Sequence, residues 1–190
     1  MPLVPDRLAT VTRVAHDAGL ATWIGGSMFG KFALNKAVEH ASEPADRGKV
    51  VNAAWGAFNA VNAVAFVGIA GGWLAARFSE ARPGLLSPRE QRLAKAKDGL
   101  MVAALGVGAA TGVQGIRLAR VVPGGAVPIE SGTRPAAETP PQAASLQRSI
   151  GFLANLDIAL GYGLVAVNAA LAQEAHSRPP LRRGLLRRSR

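Results

Sequence analysis

Residues Gly25 to Phe32 read GGSMFGKF, and Gly-x4-Gly-Lys is the spacing with which a loop cradles phosphate oxygens while a lysine meets their charge. That chemistry also needs a Ser or Thr after the lysine to hold magnesium, a buried strand before the loop, and a helix N-terminus facing the anion. Phe32 stands where the hydroxyl should be, and HDAGLATWI upstream is poor in β-branched residues. No strands alternate with helices further on, and FLANLD, Phe152 to Asp157, is spoiled as an acidic strand by Asn155 and a Leu- and Ala-rich helical context. The stretch is therefore read as helix, with a lysine inside an apolar segment.

Other reactive constellations are missing as well. The chain has no cysteine, which removes disulfides, thiolate metal ligands and cysteine nucleophiles. It has no His-Glu-x-x-His, no Gly-x-Ser-x-Gly and no paired intramembrane aspartates. His16, His40 and His176 fall at the edges of apolar segments or in the tail, where solvated or interfacial roles are expected and paired haem ligation is not. No catalytic residue, metal or cofactor is assigned, and an enzyme is the least favoured class.

Two charges that interrupt apolar stretches, Lys31 and Asp157, are the strongest chemical lead. Placed on helices that cross in opposite directions, both lie roughly 10 Å below the same boundary at helical rise. A lone charge in hydrocarbon costs a few kcal/mol, roughly, by insertion scales, so such residues face the bundle and seek partners. Asn59, Asn62 and Gln114 fall near the same level, and Asn52, Asn59 and Asn62 share one helical face. One reading is an outward-facing polar pocket or relay around Lys31 and Asp157, which would make the chain a small transporter, exporter or ion- or proton-conducting protein. The other, favoured from residues alone, is an accessory or scaffold protein in which Lys31 snorkels to the headgroups and the amides tie helices together.

The elements that carry these residues are long and apolar. Charged residues make up 18% of the 190-residue chain, below the quarter usual for soluble domains, while 49% are hydrophobic. Val50 to Ala76 holds 27 residues without a charge, more than the roughly 20 that cross a bilayer. Trp55 and Trp73 stand about 27 Å apart along it, which predicts one ring at each interface. The expected fold is an all-α integral membrane four-helix bundle with spans at about 17–38, 50–76, 99–119 and 150–173. A segment at 1–16 precedes it, an irregular and mobile proline-rich loop is expected at about 121–149, and a basic tail follows at 177–190.

Gly26-x3-Gly30, Gly68-x3-Gly72 and Gly108-x3-Gly112 place small residues one turn apart, which lets helix backbones approach where no hydrophobic force draws them together. Lys and Arg number 14 on the side of the termini and middle loop against 7 on the other, which places both termini in the cytoplasm. The net charge of +10 is not arranged as a basic face interleaved with aromatics, so nucleic acid is not an expected partner. The tail instead suits anionic lipid headgroups, and the glycine faces leave room for a homo-oligomer or a membrane-protein partner. Ser87-Pro88-Arg89-Glu90 predicts a helix start with a Ser cap. No leader with a cleavage site is read at the start.

The phrases ATWIGGSMFGKFALN, RGKVVNAAWGAFNAVNA, RLAKAKDGL and LQRSIGFLANLDIALGYGLVAVNAALAQ together resemble a family of small actinobacterial integral membrane proteins. The resemblance implies four spans in a bacterial inner membrane, and no catalytic residue is carried over from it. His16-x2-Gly-Leu-x2-Trp-Ile-Gly-Gly is similar to the first span of copper-resistance D-like membrane proteins. Copper handling would want His and Met clusters deep in the bundle, and Met28 and Met101 alone lie in the spans, so that likeness is not adopted.

Overall fold

The computed structural model describes residues 6–79 and 81–177; most of the basic tail lies outside the described residues. Four long helices account for most of it. Helix α1, Asp6–Phe29, runs on through a π-helical turn, Gly30–Leu34, and two short helical segments, Asn35–Ala37 and Val38–His40, and the label α1 includes this continuation. Helices α2, Pro44–Phe78, α3, Pro88–Ala119, and α4, Pro141–His176, each open with a proline at the first turn, where a missing N–H costs nothing. Ser87 accepts from the Glu90 N–H while Glu90 accepts from the Ser87 N–H, the reciprocal cap expected from the sequence.

Helices α2, α3 and α4 are each long and apolar enough to cross a membrane; α1, which carries Asp17 and Lys31, is not among those three. In their most apolar windows only 11%, 11% and 17% of residues are buried within the protein. Val64, Val67, Val102 and Phe152 are about 70% exposed, while Lys97, Gln147 and Asp157 are buried. Apolar side chains outside and polar ones inside invert the pattern of a water-soluble domain, and hydrocarbon is the solvent that makes this arrangement favourable. The fold defines a membrane-embedded, predominantly helical protein.

Helix α1 packs chiefly on α2, and α3 chiefly on α4. The first pairing depends on absent side chains. A Cβ at Gly68 would stand 2.8 Å from the Ala15 carbonyl oxygen, and one at Gly72 would stand 2.7 Å from the His16 Cβ. Likewise, a side chain at Gly26 would overlap the Phe58 ring and one at Gly30 the Trp55 ring. Gly108 meets Phe66, whereas Gly112 has open space beside it. Gly19, against the Ala65 carbonyl, and Gly161, against Ile24, are close approaches outside the three paired motifs.

Where an irregular, mobile connection is expected at 121–149, the chain is ordered. Strands β1, Ile129–Ser131, and β2, Arg134–Pro135, pair antiparallel, and α4 already begins at Pro141 instead of near Ile150. Val127, Ile129 and Ala143 form a small apolar core with Val51, Leu118, Val121 and Val122 beneath. Gly124 and Gly125, at φ 67° and 66°, supply the left-handed turn that leads into it. The Gly132 N–H donates to the Asn35 carbonyl at 3.2 Å, Thr139 Oγ1 to the Pro128 carbonyl at 2.6 Å, and Arg134 pairs with Glu39 at 3.1 Å. Local composition favours irregularity, but contacts distant in sequence supply the order.

The two tryptophans of α2 also depart from expectation. Trp73 is buried and donates to Asp98 Oδ1 at 2.7 Å, and Trp55 turns inward to Asn35 Oδ1 at 3.3 Å. An indole N–H needs an acceptor when buried, and side chains of neighbouring segments supply it in place of the membrane interface.

Candidate functional site

A cavity of about 160 Å³ lies beneath the hairpin. Helix α1 contributes Ser27, Lys31 and Asn35 to its wall, and α2 contributes Trp55, Phe58, Asn59 and Asn62. From α3 come Gly108, Thr111, Gly112, Gly115, Leu118 and Ala119; Gly108 abuts Phe66, whereas the missing side chains of Gly112 and Gly115 make room. Gln147, Ala154 and Asp157 come from α4, and Gly125, Val127, Ile129, Gly132 and Thr133 close the top. The π-helical turn places Lys31 and Asn35 together on this wall; such wide turns recur at functional positions.

Of the five polar positions singled out in the sequence, Lys31, Asn59, Asn62 and Asp157 line this one cavity. Asn59 is exposed, Asn62 is half-buried and Asp157 is 8% exposed. Gln114 is not on the wall, although its Oε1 is buried without a partner. Lys31 and Asp157 do not pair. The Lys31 ammonium donates to Asn155 Oδ1, whereas Asp157 Oδ2 accepts from Trp23 Nε1 at 2.8 Å and from the Ser27 hydroxyl at 3.4 Å. The other carboxylate oxygen, Asp157 Oδ1, is buried and unpartnered, as are Asn62 Oδ1 and Gln147 Oε1. Gln147 is nearly sealed from solvent, and its Nε2 donates to the Ser131 carbonyl at 2.9 Å, which fixes the amide so that Oε1 must face elsewhere.

Trp23, Ser27 and Gln147 were invisible as site residues because nothing local marks them. Trp23 reads as one aromatic among apolar neighbours, and Gln147 falls in the segment expected to be irregular. A buried carboxylate that needs donors is a signal for such partners, but it does not say which turn supplies them.

A second cavity, about 390 Å³, lies at the opposite end, beside the start of α1 and the end of α4. His16, Asp17, Trp73, Glu90, Lys97 and Asn168 are on its wall. Contrary to the expectation of a solvated or interfacial residue, His16 is 3% exposed, because α1 is already helical from Asp6 and lies against α2 there. A relay of contacts joins three helices: Lys97 Nζ donates to Asn168 Oδ1 at 2.8 Å, Asn168 Nδ2 to Asp17 Oδ1 at 3.1 Å, and His16 Nδ1 lies 3.1 Å from the same oxygen. Lys97 also stands 4.3 Å from the Trp73 ring centroid, and Arg77 reaches Asp98 at 3.3 Å.

An apolar layer separates the two cavities. Along α1 the order is Asp17, then Leu20 to Ile24, then Ser27; along α4 it is Asp157, then Leu160 to Leu164, then Asn168. Helices α2 and α3 repeat it through Ile69 and through Met101 with Ala104. Trp23 is the centrepiece: 1% exposed, with its ring centroid 5.0 Å from that of Phe66 and its N–H in the hairpin-side site.

The architecture and these two cavities define the class, a membrane-embedded, predominantly helical protein with polar groups in its interior. No family model, curated protein or solved structure matches the chain.

Proposed function

We propose that the chain is a four-span protein of a bacterial inner membrane, with both termini cytoplasmic, and that its hairpin-side cavity receives a small solute or ion. On this reading it is a small carrier, exporter or conducting protein, and not an accessory or scaffold protein. The observation that carries this reading is the cavity wall itself: the polar side chains of Lys31, Asn59, Asn62 and Asp157 line one cavity together with the Trp55 and Phe58 rings. A purely structural cluster closes on itself, because an unsatisfied buried polar atom costs about 1–3 kcal/mol. A few polar groups converging on a cavity with an aromatic and aliphatic wall are the make-up of a small-molecule site.

The four-span arrangement is supported by the shared order of cavity, apolar layer and cavity along all four helices, including α1, whose charges fall at the two polar levels. Exposed apolar side chains on α1, Phe29 and Phe32 among them, suit a lipid-facing side. The distribution of Lys and Arg supports cytoplasmic termini, which puts the hairpin outside.

Thiol labelling of intact cells tests this, since the chain carries no competing cysteine. Single cysteines at Asn59 and Gly112 on the cavity wall are compared with exposed loop positions Ser42 and Glu138 and with exposed Arg92 at the other end. Expected is labelling by an impermeant reagent at Ser42, Glu138, Asn59 and Gly112, with Arg92 silent. Silence at both wall positions, with the loop controls labelled, would return the chain to the scaffold reading.

A further inference from the structure

Resting on the reading of the hairpin-side cavity as a ligand site, we infer that its ligand is a small uncharged molecule that both donates and accepts hydrogen bonds, as a primary amide does. The polar atoms within reach of a ligand decide this. Asn52 and Asn59 are the exposed side chains of the wall, and neither amide bonds to another described residue. A side-chain amide offers two N–H donors and a carbonyl oxygen at one place, so its matching partner carries both kinds of atom and no charge.

The two amides also mark the way in. Asn52, Gly56, Asn59 and Ala63 share one helical face of α2, and all four are exposed. Asn52 lies against Gly125 in the turn that leads into the hairpin, and Asn59 lies about 10 Å further along the helix. On the α3 wall, Gly112 and Gly115 have open space where side chains would stand.

The charged residues of the wall are turned to other partners. The Lys31 ammonium donates to Asn155, which is not on the wall. Asp157 gives one oxygen to Trp23 and Ser27, and its other oxygen is enclosed by protein, so it presents no accessible acceptor in either protonation state. The Trp55 N–H is committed to Asn35. A charged ligand would exchange its water for neutral amides and an apolar wall, at a high desolvation cost. An uncharged one sets its polar end at Asn59 and its carbon body against Trp55, Phe58, Val127 and Ile129. A volume of about 160 Å³ is close to that of an engineered apolar cavity that takes benzene, so a ligand of about six to nine non-hydrogen atoms fits.

The test is calorimetric titration of the full-length protein in lipid nanodiscs, with empty nanodiscs as the blank. Three probes of one shape are compared: benzamide, which is uncharged, benzoate, and benzamidine, protonated at neutral pH. Expected is saturable benzamide binding, at least about tenfold tighter than that of either ion. Asn59→Ala, on an exposed face and therefore compatible with the fold, should weaken benzamide about threefold to tenfold, as loss of a hydrogen bond provides. Asn59→Asp should transfer the preference to benzamidine, and Gly112→Leu should fill the space and abolish binding of every probe.

Benzoate or benzamidine binding as tightly as benzamide, or benzamide affinity unchanged in Asn59→Ala, would overturn the uncharged ligand while leaving a ligand site. If no probe binds yet cysteines at Asn59 and Gly112 label, this inference alone falls. If nothing binds and neither position labels, the ligand-site reading falls with it.

Discussion

The two ends of the bundle solve the same problem in opposite ways. At the termini side, charged and polar groups from four helices answer one another: Lys97 to Asn168, Asn168 to Asp17, and Asp17 to His16, with Trp73 and Arg77 on Asp98. At the hairpin side, Asp157 receives two donors on one oxygen and none on the other, and the amides beside it keep open acceptors. The first arrangement is chiefly a tie between helices, although His16 Nε2 is left open within it. The second carries the stability cost of buried oxygens without a protein partner. What separates structural from functional polarity here is completion, because residue types at the two ends are alike.

The contrast can be broken at several points. The largest effect should come from neither end but from the packing that holds both. Gly72→Leu would drive a side chain into the first turns of α1 at Thr12 and His16, so loss of folded protein is expected on size-exclusion chromatography. Gly56→Leu, on the same helix with nothing within 4 Å, should elute as the native protein does. Equal behaviour of the two would show that α1 is not seated on α2 as described.

Next in size, Lys97→Met removes a member of the termini-side network and should cost about 1–3 kcal/mol, read as a clearly lowered melting temperature in nanodiscs. Asp157→Asn should do the reverse of what burial alone suggests. It keeps an oxygen for the Trp23 N–H, removes the oxygen that has no partner, and is expected to leave the melting temperature unchanged or raised. If Asp157→Asn destabilised as much as Lys97→Met, the hairpin-side cluster would be structural too.

The smallest effect concerns pH. His16 precedes the segment 17–38 expected from the sequence as a span, and burial, then the Lys97 ammonium, push its pKa below the ordinary 6.5 against the opposing pull of Asp17. The folded state therefore disfavours the imidazolium: its stability is complete above about pH 6.5 and declines as pH falls below that value. His16→Gln should flatten this slope in a melting series between about pH 7 and 5. An unchanged slope would mean that the imidazole is not held neutral by its surroundings.

Much of the fold was legible because hydrocarbon imposes simple demands. Val50 to Ala76 announces a crossing helix by length and absence of charge, and Ser87 with Glu90 announces the start of the next. Four of the five polar positions reach one cavity because charges and amides that interrupt apolar helices must turn inward, and helical rise alone sets their depth. Partners were not legible in the same way. Lys31 was matched by depth to Asp157, yet rotation about the helix axes gives Asp157 to Trp23 and Lys31 to Asn155. The glycine pairs illustrate the same limit: Gly26 and Gly30 receive aromatic rings, while Gly112, spaced identically with Gly108, opens a cavity.

By itself, the sequence determined a predominantly helical chain with apolar segments long enough for a bilayer and polar residues at defined depths along them, since both follow from local composition and a fixed rise per residue. Only the tertiary structure decided which polar atoms are answered and which stay open, and that the proline-rich connection folds as a cap. Those outcomes depend on helix rotation and on contacts between segments far apart in the chain, and no local pattern encodes either.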